Sequence, residues 1–382
     1  MQMNRRRMSG ILAVLLIISL AWVGCSNDSS NLTGPQNQNQ AELSQLYGRA
    51  NPAMQSAMDI QLKNTPVLMA TDRVVGTATG VDDNGAPVLL VLTETTVPST
   101  TFPARIQGLK VKQMVVGHLV AMKGPPGGGG GGGGHGGGGV SHTAIQTPPI
   151  ELGTSGGWSY DLANGYCCGG TLGSLIQIGG SQYVLSNWHV LEADIVSGGN
   201  NRTAQNGDPV IQPGLIDVNC SASSAQAVAT LSLKHSLPNN NVDCAVAQVI
   251  PGMVKSDGSI LEIGTLSSQT VAAFVGQAVK KSGRTTGLAR STISGLNASV
   301  SISYENECAG GSAFTKTFTG QIVIDNKHSG FLDSGDSGSL MVEDVSSNPR
   351  AVGLLYAGSR TAAIANPIDD VLSFLNATMV GN

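Results

Sequence analysis

Charge is scarce in this chain, and so are aromatic rings. Asp, Glu, Lys and Arg make up 12% of the 382 residues and Phe, Trp and Tyr 4%, which makes long, salt-bridged helices improbable. There is no basic excess either. The formal net charge is −4, which offers no electropositive face to nucleic acid. No Cys-x-x-Cys pair and no two histidines at ligand spacing occur, so no metal is expected, and no other cofactor is called for. No apolar run reaches the roughly 20 residues of a comfortable membrane span. What the chain has instead is glycine, 51 residues of it, together with Asn-rich turns and short β-branched runs. That is the composition of short strands joined tightly.

The N-terminus reads as a targeting segment, residues 1–24. Arg5, Arg6 and Arg7 form a positive region, and Ile11 to Val23 an apolar one. It ends at Gly24-Cys25, which resembles a bacterial lipoprotein box in which Cys25 is lipidated and becomes the new N-terminus. Trp22 stands where a leucine is usual in that box. The expectation is an exported chain, in the cell envelope or outside the cell, held to a membrane through a lipid anchor at Cys25. Five further cysteines follow, Cys167, Cys168, Cys220, Cys244 and Cys308. In an oxidising compartment two bridges are expected and one thiol is left over.

Residues 25–40 are rich in Ser, Asn and Gln and read as a flexible tether. Residues 41–123 read as a small α+β domain. Apolar residues between Ala41 and Leu62 recur at helical spacing, interrupted near Asn51-Pro52. Asn84-Gly85 then separates two β-rich runs as a hairpin turn. His118 lies in an apolar run and is expected to be packed in the core. Residues 124–152 hold a glycine tract broken by His135 and read as a linker, with His135 and His142 as solvated bystanders. No Gly-Lys-Ser/Thr follows the tract, so it is not a phosphate-binding loop.

Residues 153–382 carry strand after short strand: Thr171–Ile178, Tyr183–Leu185, Val228–Leu233, Cys244–Ile250, Val279–Lys281, Thr292–Ser294, Val300–Tyr304, Thr317–Ile324, Ser339–Val342 and Val352–Leu355. Turn residues space them throughout, the pattern of an all-β sandwich or barrel. One helix is expected near the end, capped by Asn366 with Pro367 at its first position and Ile368, Val371, Leu372 and Leu375 on one face.

Within this segment Gly335-Asp336-Ser337-Gly338-Ser339 stands out. A serine hydroxyl becomes a useful nucleophile only beside a base, an orienter for that base, and donors for the oxyanion. Flanking glycines permit a turn tight enough to aim the N–H groups of Gly335 and Ser337 at one point. His189, at the end of a strand, is the leading candidate base, with His235 and His328 as alternatives. Asp243, at the mouth of an apolar strand, is the leading orienter because a buried carboxylate needs a partner; Asp217 competes with it.

Three blocks, Leu185-Ser186-Asn187-Trp188-His189-Val190-Leu191, Asn241-Val242-Asp243-Cys244-Ala245 and Gly335–Ser339, resemble the signature blocks of trypsin/chymotrypsin-like serine peptidases, in the same order. Val352 to Gly358 looks like that family's substrate-binding strand, and Lys281 to Gly287 like a block of a bacterial and plant branch. The resemblance spans roughly Gly165 to Leu375. It implies two antiparallel six-stranded β-barrels with the site between them. It also implies a serine endopeptidase acting on a protein or peptide substrate through His189, Asp243 and Ser337, with an oxyanion hole at Gly335 and Ser337. Phe331, Tyr356, Ala357 and Gly358 fall at substrate-binding positions. Two features depart from the pattern. No N-terminal activation motif supplies Asp336 with an ammonium partner. Phe331 stands where an acidic specificity residue would select Lys or Arg, so an apolar primary pocket is expected. The alternatives are a non-catalytic binding protein on the same scaffold, and a first domain acting as an intramolecular inhibitor.

Overall fold

The computed structural model describes residues 35–122, 140–163, 166–192, 202–304 and 313–382. The targeting segment with Cys25, the start of the tether, the glycine tract with His135, and Cys308 lie outside the described residues.

The described chain opens with helices α1 (Pro35–Tyr47) and α2 (Pro52–Met69), followed by β1 (Val74–Val81), β2 (Pro87–Thr93), β3 (Arg105–Ile106), β4 (Leu109–Val115) and β5 (Val120–Ala121). Next come β6 (Thr154–Trp158), β7 (Leu162–Ala163), β8 (Tyr166–Cys167), β9 (Gly170–Leu172), β10 (Ser174–Ile178), β11 (Ser181–Ser186) and the one-turn helix α3 (Trp188–Leu191). Then β12 (Pro209–Gln212), β13 (Gln226–Ser232), β14 (Ala245–Val249), β15 (Ala278–Gly283), β16 (Gly287–Tyr304), β17 (Phe314–Asp325), β18 (Leu340–Glu343), β19 (Ala351–Gly358) and β20 (Ala362–Pro367) precede α4 (Ile368–Leu375) and β21 (Thr378–Met379).

The expected all-β architecture is present. Strands β15, β18, β19, β20, β17 and β16 pair antiparallel in that order, and β16 returns to β15, so this set closes a six-stranded ring. A second sheet runs β21-β10-β11-β14-β13-β12-β6-β9. It curls back on itself, because the N–H of Gly173, just past β9, donates to Leu185 O in β11 at 2.9 Å. Alternation along these strands fills each interior. One core runs from Trp158 and Val184 to Val246 and on to Val371 and Leu375 of α4. Another joins Val279, Ile293, Ile322, Met341 and Leu355 in the closed ring. Burying each such side chain contributes about 1.5–3 kcal/mol before chain entropy is counted.

The N-terminal strands are not a free-standing sheet. β1 pairs antiparallel with the outer half of β16, and β2, β4 and β3 extend the ring's sheet in turn. Helix α2 begins as its sequence dictates, with Asn51 Oδ1 accepting the N–H groups of Ala53 and Met54 and Pro52 opening the first turn. A buried polar cluster then joins it to both strands. Gln61 Nε2 donates to Thr77 Oγ1 at 2.7 Å, and Asn297 Nδ2 donates to Gln61 Oε1 at 2.9 Å.

Several expectations are corrected. α1 starts at Pro35, inside the stretch read as tether, and α2 runs past Leu62 and through Pro66 to seat Leu68 in a core with Leu89 and Val91. The two strands expected over 292–304 are one long β16. Bulges near Gly295 and Asn297, the latter at φ 55°, mask its alternation. Asn366 does not cap α4; Pro367 holds that position, and the Asn366 side chain is buried in hydrogen bonds described below. His118 is exposed and bonded to Glu94 at 2.9 Å, since Val116 and Leu119 take the core positions around it. His142 is no bystander: its ring is buried between Gly153 O (2.8 Å) and Glu262 Oε2 (2.7 Å), and Ile150 and Leu152 anchor the same segment in the core.

Cys167 and Cys220 form a disulfide with a Cα–Cα distance of 5.5 Å, and Cys168 is also disulfide-bonded. Cys244 is a buried thiol. A bridge of this kind fits an oxidising compartment. Among the described residues no helix is long and apolar enough to cross a membrane.

Candidate active site

Asp243 lies at the entrance to β14, and every polar atom of it is used. Its Oδ1 accepts the N–H of Trp188 at 2.7 Å and that of His189 at 3.4 Å, and so fixes the first turn of α3. Its Oδ2 accepts from His189 Nδ1 at 2.6 Å and from the Tyr304 hydroxyl at 2.8 Å. The Asp243 N–H donates to Asn366 Oδ1 (2.9 Å), and Asn187 Nδ2 donates to Asp243 O (2.7 Å). The carboxylate is fully buried, a position that stands only because these donors replace water.

One consequence concerns the histidine. A carboxylate can only accept, so Nδ1 carries a proton, and in the neutral imidazole Nε2 is the nitrogen that presents a lone pair. Nε2 is buried and has no hydrogen-bond partner among the described residues. Tyr304 meets the His189 ring edge-on at 5.9 Å and stacks on Phe314 at 4.7 Å. The Tyr304 phenol is raised well above its ordinary range, first by burial and then by the charge of Asp243, so it stays a donor.

Ser337 sits in a turn between Gly335 (φ 97°) and Gly338 (φ 92°), conformations that favour glycine. The turn is held from both sheets. Ser337 O accepts the Thr171 N–H at 2.8 Å, and Thr171 Oγ1 donates to Gly335 O at 2.9 Å. Gly170 shows how near the two halves come: a Cβ there would lie 2.6 Å from a methyl of Val190, the neighbour of His189, and 3.0 Å from Ser337 O. The Ser337 hydroxyl donates to Tyr356 O at 3.1 Å, not to the imidazole. Ser337 is 0% and His189 3% exposed, so the site is covered.

Asp336 finds the partner the sequence left unassigned. Its Oδ1 lies 3.0 Å from Lys281 Nζ and accepts the N–H groups of Thr285 and Thr286, while Oδ2 accepts from Thr286 Oγ1 and the Asp333 N–H. Lys281 also donates to Thr286 Oγ1. Burial lowers the Lys281 ammonium from its ordinary value, and Asp336 opposes that shift.

The competing candidates are elsewhere. Asp217 takes a bidentate hydrogen bond from Arg284, at 2.6 and 2.9 Å. His235 is exposed, 4.0 Å from Glu192, and His328 is exposed and bonded to Asp325. Phe331 is fully buried in the ring core, and Tyr356, Ala357 and Gly358 form the end of β19. Tyr304 and Asn366 were missed as site residues. A tyrosine in an apolar strand, whose hydroxyl must find a partner once buried, is the one signal that pointed to the first.

A family model described as the Nal1 C-terminal domain matches residues 239–365. A comparison with curated protein sequences found no match. Among solved structures, one similar chain is a glutamic acid specific serine protease that utilizes a novel histidine triad in substrate binding. It is 17% identical, with 60% of this chain and 100% of that one covered and a TM-score of 0.40. Thermobifida fusca protease A is 18% identical over 61% and 99% at a TM-score of 0.39, and an alpha-lytic protease homolog, N4, 19% over 60% and 98% at 0.37. At these values no chemistry passes to this chain by likeness. Among the described residues no cluster of His, Cys, Asp and Glu is arranged to hold a metal ion.

Proposed function

We propose that the chain is an exported serine endopeptidase. The observation that carries this reading is His189, with Nδ1 2.6 Å from buried Asp243 and Nε2 without a hydrogen-bond partner among the described residues, one residue before Val190, which flanks Gly170 together with Ser337 O. In the reaction Ser337 Oγ attacks a substrate carbonyl carbon, and its proton passes to His189 Nε2. The imidazolium is stabilised by Asp243 and then gives the proton to the leaving amine. Water hydrolyses the acyl-enzyme by the same relay in reverse. The Gly335 and Ser337 N–H groups serve the oxyanion. Attack requires the Ser337 hydroxyl to leave Tyr356 O and turn to the imidazole. Export and a lipid anchor at Cys25 complete the reading.

The bonding of Ser337 to Tyr356 O favours a second reading, a binding protein on this scaffold without turnover. A fluorophosphonate probe separates the two. Met122 lies over this turn, its carbonyl oxygen accepting the Gly335 N–H at 2.8 Å, so the probe is expected to label Ser337 in the wild type or in a Met122→Asp variant that uncovers the site, and not in Ser337→Ala or His189→Ala. No labelling in either the wild type or the uncovered variant would leave only the second reading.

A further inference from the structure

What covers Ser337 is the end of the N-terminal segment. β5 pairs antiparallel with the end of β19, Ala121 opposite Ala357 and Val120 opposite Gly358. Its other edge lies against β16, where the Ser303 N–H donates to Leu119 O at 3.0 Å. The next residue completes the set. The Met122 N–H donates to Tyr356 O at 3.1 Å, and Met122 O accepts the Gly335 N–H at 2.8 Å. The Met122 side chain is buried in the apolar cluster of Phe331, Leu332, Leu355 and Ala363, with the Ser334 hydroxyl 3.9 Å from its sulfur.

These contacts are those of a peptide bound for cleavage. An extended chain is held by main-chain pairing to a sheet edge, a side chain fills a pocket, and a carbonyl oxygen rests on an N–H aimed at oxyanion charge. From this geometry, and resting on the peptidase reading above, we infer that Met122 is the acyl-side residue of a tethered substrate, cut by the chain's own Ser337. In that step Ser337 Oγ bonds to the Met122 carbonyl carbon and the Met122–Lys123 C–N bond breaks. The serine proton travels through His189 to the released Lys123 amine. Water then frees Met122 as a carboxylate and restores Ser337. The cut product stays bound, because β1 on β16 and the Gln61–Asn297 hydrogen bond hold the N-terminal unit independently of β5. Residues 41–122 therefore act after the cut as an autoinhibitor, and the pocket that seats Met122 selects apolar side chains unbranched at Cβ.

The test uses the full chain. Intact mass and N-terminal sequencing of the purified wild type are expected to show two fragments that co-elute, with a new N-terminus at Lys123, and Ser337→Ala is expected to remain whole. Met122→Leu should still be cut. Met122→Asp, which places a charge in an apolar pocket, should lose at least about 100-fold in cutting while fluorophosphonate labelling of Ser337 rises about tenfold or more as the strand leaves. Cutting of Ser337→Ala at the same bond, or a whole wild-type chain whose Ser337 is nonetheless labelled, overturns the tethered-substrate inference and leaves the peptidase reading standing. An uncut wild type in which neither it nor Met122→Asp is labelled removes both.

Discussion

Lys281 Nζ lies 3.0 Å from Asp336 Oδ1, and both side chains are completely shielded from water. One residue belongs to β15 and the other to the turn that carries Ser337, so this pair ties the nucleophile's turn to the wall of the closed ring. Asp336 needs no ammonium from a new chain terminus, because a lysine within the fold already supplies one.

Removing that lysine strands a carboxylate. Lys281→Met is expected to destabilise the fold by about 3–5 kcal/mol, the usual consequence of deleting one member of a buried ion pair. Urea unfolding of the variant checks it. A change under about 1 kcal/mol would mean that the Thr285, Thr286 and Asp333 donors suffice by themselves.

Tyr304 gives Asp243 its second side-chain donor. Tyr304→Phe keeps the stack on Phe314 and deletes one hydrogen bond to a charged oxygen, a contact of about 1.5–3 kcal/mol. The fluorophosphonate labelling rate of Ser337 is expected to fall about 10- to 100-fold in a variant that still folds. An unchanged rate would show that the Trp188 N–H and the His189 ring alone orient the carboxylate.

The sequence carried the blocks around His189, Asp243 and Ser337 because each is a local string, and the strands because their turns are local too. It did not carry the partners. Asn366 read as a helix cap, since Asn before Pro at a helix start is a common cap; only the fold brings β20 against Asp243, where the amide is worth more as an acceptor for a buried N–H. Lys281 lay within a block set apart on sequence grounds, yet nothing in that string says that its ammonium faces Asp336, 55 positions later. Met122 carried no signal at all. An apolar residue ending a strand is ordinary, and its place on the Gly335 N–H follows from β5 meeting β19, a pairing across more than 230 residues.

Three buried acids predict how the fold responds to alkali. The Cys244 thiol and the Tyr304 and Tyr356 phenols are all raised well above their ordinary values, by burial first and by the charge of Asp243 next. In the unfolded chain they lose protons near pH 9 and 10, whereas the folded chain retains them. The folded state then binds more protons, so stability is full below about pH 9 and falls as pH rises beyond it. Urea midpoints between pH 7 and 11 should show this decline, and a shallower one in Tyr304→Phe. A flat profile would contradict it.

The tightest backbone approach in the site joins the two sheets, and it sets the last prediction. A Cβ on Gly173 would stand 1.9 Å from Gly338 O, and one on Gly338, at φ 92°, 2.2 Å from Thr171 O. Neither obstacle is a side chain that can swing aside. Each is main chain, in the turn of Ser337 or in the strand that positions it. Gly173→Ala must therefore push the β9–β10 link away from the Ser337 turn, at a cost of about 1–3 kcal/mol or more for overpacking, and the displacement falls where His189 and Ser337 have to meet. Gly179→Ala is the matched control. Its φ of 54° is also positive, but nothing lies within 4 Å of the added carbon, so only about 1–2 kcal/mol of local backbone strain applies. Labelling of Ser337 is expected to be lost in Gly173→Ala and kept in Gly179→Ala. Equal labelling in the two would mean that the sheets can separate by the width of a methyl group without disturbing the relay, and the close approach would then have no part in aligning it.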